Sequence, residues 1–271
     1  MKPIIKCAFG AGISLMATLP AAQVLAEGDW QGSIGIGAES GPEFLGSSET
    51  ETSAMPMFEL IWRDRIFIGP GGIGYAFNAD AFTASASVGY DSGRDESDSV
   101  FLNGLGDIDG GATFNLEFEY ELGPVTPYLE VTKYTKGSEG VSATVGVEGM
   151  IPLRVLTGRM SMADMGRLDS PGEAGPMLIA GLSADWGNDD FNQTYYGVSG
   201  AQSVSSGLGQ YTATSGFHAV NLEVGVRVPV TDHWNLGASV TYSELMGDAK
   251  DSPFVQDTSG TSVGIFAMYN F

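Results

Sequence analysis

The side chains able to do chemistry are few. Two histidines occur in 271 residues, His218 and His233, and a serine-rich run lies at 203–206. A serine next to a histidine would support acyl transfer or hydrolysis. His218 shares the parity of Val220 and Leu222, so it is expected to face outward with them. It would reach the serines only by turning inward. His233 sits beside the Asp232 turn, at the end opposite the long loops. Two separated histidines also make a His-rich metal site a poor reading. The single cysteine, Cys7, excludes a disulfide scaffold and a cysteine metal centre. No cofactor is expected.

The acids form a second constellation. Glu117, Glu119, Glu130, Glu148, Glu223 and Arg227 share the polar face of alternating segments. They could tune a polar channel, or fill a narrow interior as paired side chains. A further acidic run, DSGRDESD at 91–98, is joined by Asp107, Asp109, Asp185, Asp189 and Asp190. It reads as solvated loops or as a place where divalent cations bridge to a lipopolysaccharide surface. No EF-hand pattern is present. Gly69-Pro70-Gly71-Gly72 reads as a turn, because no Gly-Lys-Ser/Thr follows it.

The elements that must position these groups alternate with period two. Phe114, Leu116, Phe118 and Tyr120 interleave with Asn115, Glu117 and Glu119. Val220 to Val228 and Trp234 to Tyr242 behave alike. Side chains alternate faces along a strand, so each segment has one apolar face and one small or polar face. Aromatics stand at segment ends, as an interfacial girdle requires. The polar face is Gly, Ser and Thr with scattered acids, which suits a narrow barrel interior. The expectation is an all-β, antiparallel transmembrane β-barrel. Its segments are 29–39, 54–62, 65–69, 72–78, 81–90, 112–122, 125–134, 140–149, 175–186, 214–228, 233–245 and 261–271. That makes about twelve strands, with ten or fourteen as alternatives. The long loops then fall on the extracellular side, except 150–174, which is expected to hide a strand or short helix.

Composition agrees. Asp plus Glu is 33 against 12 Lys plus Arg, a formal charge of -21, which argues against nucleic acid. The apolar share of 43 % is too high for a charged disordered chain. Lys2 and Lys6, the apolar stretch Ala8 to Leu19, and Val24-Leu25-Ala26 read as a secretory signal peptide, residues 1–26. Residues 27–271 are then the barrel. Loss of the leader would remove two lysines and the cysteine but no acid.

Several blocks are similar to the MltA-interacting protein family, also called OmpV-like. They are Phe44-Leu45-Gly46-Ser47, Leu102 to Gly110, Tyr195-Tyr196-Gly197-Val198, Tyr211, Gly216 and Trp234. The most specific is Leu245-Met246-Gly247-Asp248-Ala249-Lys250-Asp251-Ser252-Pro253. The ending Tyr269-Asn270-Phe271 also resembles bacterial outer-membrane barrels, whose terminal aromatic strand is read by the barrel assembly machinery. The resemblance implies a protein of the Gram-negative outer membrane, in contact with its lipid and lipopolysaccharide. It implies a non-enzymatic scaffold joining a periplasmic murein hydrolase to a murein synthase. A small-solute or osmotic-response pore is the alternative, and a Ser/His hydrolase a third reading. Tyr195 to Val198 are expected to fold over or into the barrel mouth. Gly247, Asp248 and Pro253 also have a structural reading, as turn residues.

Overall fold

The computed structural model describes residues 29–161, 164 and 175–271. The expected leader, 1–26, lies outside the described residues, as do 162–163 and 165–174 of the long connection. Twelve antiparallel strands close into one barrel. They are β1 Trp30–Pro42, β2 Thr50–Trp62, β3 Ile66–Gly69, β4 Gly72–Ala79, β5 Phe82–Arg94, β6 Ile108–Tyr120, β7 Val125–Tyr134, β8 Val141–Pro152, β9 Met177–Gly187, β10 Gly216–Pro229, β11 Trp234–Leu245 and β12 Ser259–Asn270. The seam closes between β1 and β12, from Ser33↔Asn270 to Ser40↔Val263. Closure removes the sheet edge that lipid could not satisfy. All twelve expected strands are present.

The alternation maps onto the wall as expected. Phe114, Leu116, Phe118 and Tyr120 stand on the outer surface of β6, while Asn115, Glu117 and Glu119 turn inward. Ile34 and Ile36 on β1 are 58 % and 63 % exposed, which makes sense only against lipid. Several strands run farther outward than their alternation suggested. β5 and β6 stay paired up to Arg94↔Ile108, where a loop over 91–111 was expected. Above the apolar band the inner face meets the loops and the outer face no longer needs apolar residues, so pairing persists there without a period-two pattern.

Cross-strand pairing explains much of the glycine. Gly237 is opposite Phe266, Gly74 opposite Phe67 and Gly146 opposite Tyr128. In each pair a β-carbon on the glycine would collide with the partner's ring. Small residues thus let inward rings lie flat along the neighbouring strand of a narrow barrel.

Short turns join the strands at one end and long loops at the other, which is the outer end in this fold class. The long connection between β8 and β9 at the periplasmic end begins with a short helix, α1, Leu153–Leu156, in line with its expected content. The loop between β9 and β10 contains two helices, α2 Asp189–Tyr196 and α3 Gly200–Ser206. The wall is uneven: β3 has 4 residues and β4 has 8, between strands of 13.

Candidate functional site

The outer end of the barrel is filled by its own loops. Helix α2 starts at Asn188, whose side chain accepts from the Phe191 and Val141 amides at 3.1 and 2.9 Å. One side chain thereby caps the helix and ties it to β8. The helix presents Phe191, Asn192 and Tyr196 as buried residues. Phe191 stacks on Tyr195 at 4.6 Å, on Tyr134 at 5.3 Å and on His218 at 5.4 Å, and Tyr196 meets His218 at 5.4 Å. Asn192 donates to the Thr214 carbonyl at 2.7 Å. Helix α3 opens with a capping box, Ser199 with Gln202, and Gln202 donates onward to the Leu105 carbonyl at 2.6 Å.

Above this ring layer lie two apolar clusters. Leu102, Leu105, Val198 and Phe254 form one, with Phe44, Leu208 and Tyr211 against it. Tyr196, Ala213, Leu245 and Ala249 form the other. Leu102 and Val198 are 1 % exposed and Phe254 2 %. Full burial of such a side chain is worth about 1.5–3 kcal/mol, so the loops form a packed cap.

The motif residues divide between the two ends. Val198 pairs with Tyr211 in both directions, at 2.8 and 2.9 Å. Tyr211 donates its hydroxyl to the Asp248 carbonyl at 2.7 Å, and Ser252 donates to the Tyr196 carbonyl at 2.6 Å. The Asp248 carboxylate accepts from the Thr214 amide at 2.8 Å and its hydroxyl at 2.7 Å. Those bonds hold Asp248 below the usual carboxylate range. Gly247 has φ +54, and a β-carbon there would stand 2.6 Å from the Phe217 carbonyl oxygen. Gly197 ends α2, and Pro253 leads into buried Phe254. Asp251 is exposed. Burial pushes the Tyr195 and Tyr196 hydroxyls up, with the Asp91 and Asp185 charges adding to it. Trp234 and Phe271 lie at the opposite, periplasmic rim. Trp234 meets Tyr269 edge-on at 5.3 Å, and Phe271 exchanges backbone hydrogen bonds with Gly32 at 2.9 and 3.1 Å.

The model of the MltA-interacting protein MipA family matches residues 34–271, nearly the whole described barrel. The chain belongs to the MipA family. Two Escherichia coli K12 relatives agree in part. The MltA-interacting protein is 29 % identical over 100 residues, 37 % of this chain and 40 % of that one. YiaT, assigned to the outer membrane, is 32 % identical over 78 residues, 29 % of this chain and 31 % of that one. The chain thus matches less than half the length of either relative. Solved structures of similar shape include OmpT of Vibrio cholerae, at 9 % identity and TM-score 0.35, covering 91 % of this chain and 99 % of that one. The KdgM porin is another, at 8 % and 0.39, covering 88 % and 99 %. The protein is an outer-membrane β-barrel of the MipA family.

His218 is a correction to the alternation. It was expected on the outward face with Val220 and Leu222, yet it is buried under α2. The register with β9 shifts between Phe217 and Ala219. This β-bulge inserts one residue, so Phe217 faces out and His218 and Ala219 both face in. The imidazole packs against the Phe191 and Tyr196 rings. His233 lies on a periplasmic turn, 2.9 Å from the Asn270 carbonyl.

Below the cap, the expected inward acids of this MipA-family barrel do line the lumen. They use mostly neutral partners. Glu117 accepts from Ser85 at 3.4 Å; Asp185, expected with the acidic loops, instead stands on β9 and accepts from Thr144 at 2.7 Å and from Asn221 at 2.8 Å. Arg227 reaches the Met150 sulfur at 3.2 Å. Glu223, four residues away on the same strand, is 6 % exposed and has one carboxylate oxygen without a hydrogen-bond partner. In the acidic loop, Glu96 accepts from the Gly104 and Gly106 amides at 3.0 Å each, and Asp107 from the Glu96 amide at 2.8 Å. These carboxylates fold the loop.

Sequence reading missed Phe191, Asn192 and Phe254 as cap residues, and Arg94, whose guanidinium lies 5.6 Å from the Phe254 ring and donates to the Tyr195 carbonyl at 3.4 Å. Two signals were present. Asn188 before two acids marks a helix N-terminus, and Ser199 with Gln202 three residues on is a capping box.

Proposed function

We propose that this protein is a non-enzymatic outer-membrane scaffold, closed from outside and offering its periplasmic turns to murein-processing enzymes. The observation that carries the reading is the ring stack of Phe191, Tyr195, Tyr196 and His218 beneath two dry loop clusters. A cap packed like a protein core suits an anchor better than a freely open pore. The partner class follows the family resemblance and the name of the MltA-interacting relative: a murein hydrolase together with a murein synthase. Lipid, lipopolysaccharide and the barrel assembly machinery complete the partners, the last through terminal Phe271. The non-enzymatic reading is supported by His218, which is buried against the rings of Phe191 and Tyr196.

The test combines two measurements on the purified barrel. In a planar bilayer it should give no steady ohmic conductance. Immobilised, it should retain a lytic murein transglycosylase from a periplasmic extract, and lose it when the turns at 63–65 and 230–233 are replaced. Steady conductance without enzyme retention would overturn the scaffold. A second reading, a cation-selective pore, draws on the inward acids Glu117, Glu119, Glu130, Glu148 and Glu223. It predicts conductance with a cation-selective reversal potential.

A further inference from the structure

The wall has a notch. Strand β2 is paired with β1 along its whole length, from Trp30↔Trp62 to Pro42↔Thr50. On its other side it meets β3 only at Leu60, Ile61 and Trp62. The ladder between β4 and β5 ends at Ile73↔Val88, while β5 continues to Arg94. The β3–β4 hairpin therefore stops partway up the wall. Above its tip, β2 from 50 to 59 and β5 from 90 to 94 each have one edge without a strand partner. Val88, at the level of the tip, is 51 % exposed on the outer surface beside Ile73 and Tyr75. The notch therefore begins within the lipid-facing band and opens toward the outer leaflet.

Local chemistry keeps the notch open. The Gly71 carbonyl at the hairpin tip accepts from Ser87 at 3.1 Å and from Asn115 at 3.3 Å, both lumen-facing side chains. The tip is thus pulled inward. Pro56 lies in the middle of the free stretch of β2, opposite Ile36 of β1. Proline has no N–H to offer, so it is tolerated at a free edge and interrupts any strand that would add there. A second copy completing the sheet is disfavoured at that point. Bare strand edges do not survive against hydrocarbon unless they line a wet or occupied cavity.

The inside of the notch is two-natured. Met55 and Met57 of β2 point inward beside it, with Phe67 of β3 and Met268 of β12. Met57 and Met268 are both buried. Methionine is an adaptable apolar lining. Deeper, the lumen is acidic, with Glu59 on β2, Glu117 and Glu119 on β6 and the unpartnered oxygen of Glu223 on β10. An apolar wall next to carboxylates matches an apolar tail carrying a positive head. The outer mouth is packed with the cap, and the side route does not cross it.

We propose that the notch between β2 and β5 is a lateral port, through which a single-chain amphiphile with a cationic head passes from the outer leaflet into the lumen. This goes beyond the scaffold reading and does not depend on it.

A quenching experiment tests it. In a Cys7→Ser background, Met57→Cys carries a fluorophore inside the notch and Phe58→Cys carries it on the lipid face. Met55→Cys supplies a second inward position in case the first variant folds poorly. The probes are a long-chain alkylammonium and the matching alkyl sulfate, each with a nitroxide on its tail, added to the barrel in vesicles. The expected result is saturable quenching at 57 and 55 by the ammonium, several-fold stronger than by the sulfate. It should disappear when the β3–β4 hairpin is lengthened by four residues per strand, while quenching at 58 persists. Quenching confined to 58 overturns the port. Equal quenching by the two probes, or by the lengthened hairpin, overturns it as well. A concentration-dependent dimer cross-linked through β2, with 57 dark to both probes, would assign the edge to a second copy instead.

Discussion

The wall and the cap of this barrel hold together by different means. The wall is a ring of backbone ladders whose outer side chains face lipid and whose inner ones are small or polar, with glycines set opposite large rings. Any apolar residue serves on its outer face. The cap is made of loops that share no ladder beyond the single Val198–Tyr211 bridge, and it depends on named side chains filling one another's space. The wall is specified by pattern and the cap by identity.

Phe254 and Leu222 separate the two most sharply. Phe254 is buried in the cap, and Phe254→Ala should cost about 3–5 kcal/mol locally. Limited proteolysis of the outer loops should then speed up by about two to four orders of magnitude, since local opening controls cleavage. The folded barrel should keep its heat-modifiable mobility on a gel. Leu222, near the middle of β10, is 50 % exposed on the outer face. Leu222→Arg should cost about 2–4 kcal/mol of wall stability, read as a lower urea midpoint in vesicles. Loops of the folded fraction should stay as resistant as wild type. Matching proteolysis profiles for the two variants would mean that wall and cap are one cooperative unit.

A smaller effect probes the inner face of the wall. Gly237→Ala places a β-carbon against the Phe266 ring. Overpacking of this kind costs about 1–3 kcal/mol, toward the low end here because a lumen cavity lined by Phe266 gives the ring room to move. Phe266→Ala in the same chain should recover most of the lost urea midpoint, and a failure to recover would show that Gly237 is needed for its backbone instead. The matching test in the cap is Gly247→Ala. It forces a residue with a β-carbon to φ +54, against the Phe217 carbonyl. The cost should be about 1–2 kcal/mol, seen as faster loop proteolysis with an unchanged urea midpoint.

What the sequence made legible follows the same division. Period-two alternation needs a difference between faces, and lipid outside with a small polar lumen inside supplies one over most of the wall. The twelve strands were readable for that reason. The pattern failed in two places with physical causes. Beyond Tyr90 the outer face no longer needs apolar residues and the inner face meets the loops, so the paired ends of β5 and β6 looked like loop. At Phe217 the bulge flipped the phase, and His218 was assigned to the wrong face. The cap was only partly legible. Tyr195, Tyr196, Val198, Gly247 and Asp248 stood out as a family motif, and the structure brings them together. Leu102 stood out only as the start of a family block, and Phe254 gave no signal, because a lone apolar residue in a polar loop carries no period. The notch was present as strand lengths, in the shortness of 65–69, and in a proline inside an otherwise regular strand.

The smallest expected effect concerns acid. Asp248 joins the 245–253 block to Thr214 through two hydrogen bonds that only the carboxylate can accept in full, and they lower its pKa in the folded cap. A carboxyl whose folded value lies below its unfolded value stabilises the fold at pH above the unfolded value. That contribution fades as pH falls below about 4, the ordinary aspartate range, and is gone once the pH is under the folded value. Wild-type loops should therefore become modestly more sensitive to an acid-active protease between pH 5 and 3, on the order of a few-fold given how exposed the group is. Asp248→Asn should be slightly more sensitive than wild type at neutral pH and should lose that part of the acid dependence. The ladder-built wall should show the same urea midpoint in both proteins at either pH. An unchanged acid profile in Asp248→Asn would assign the acid response of the cap to other carboxylates.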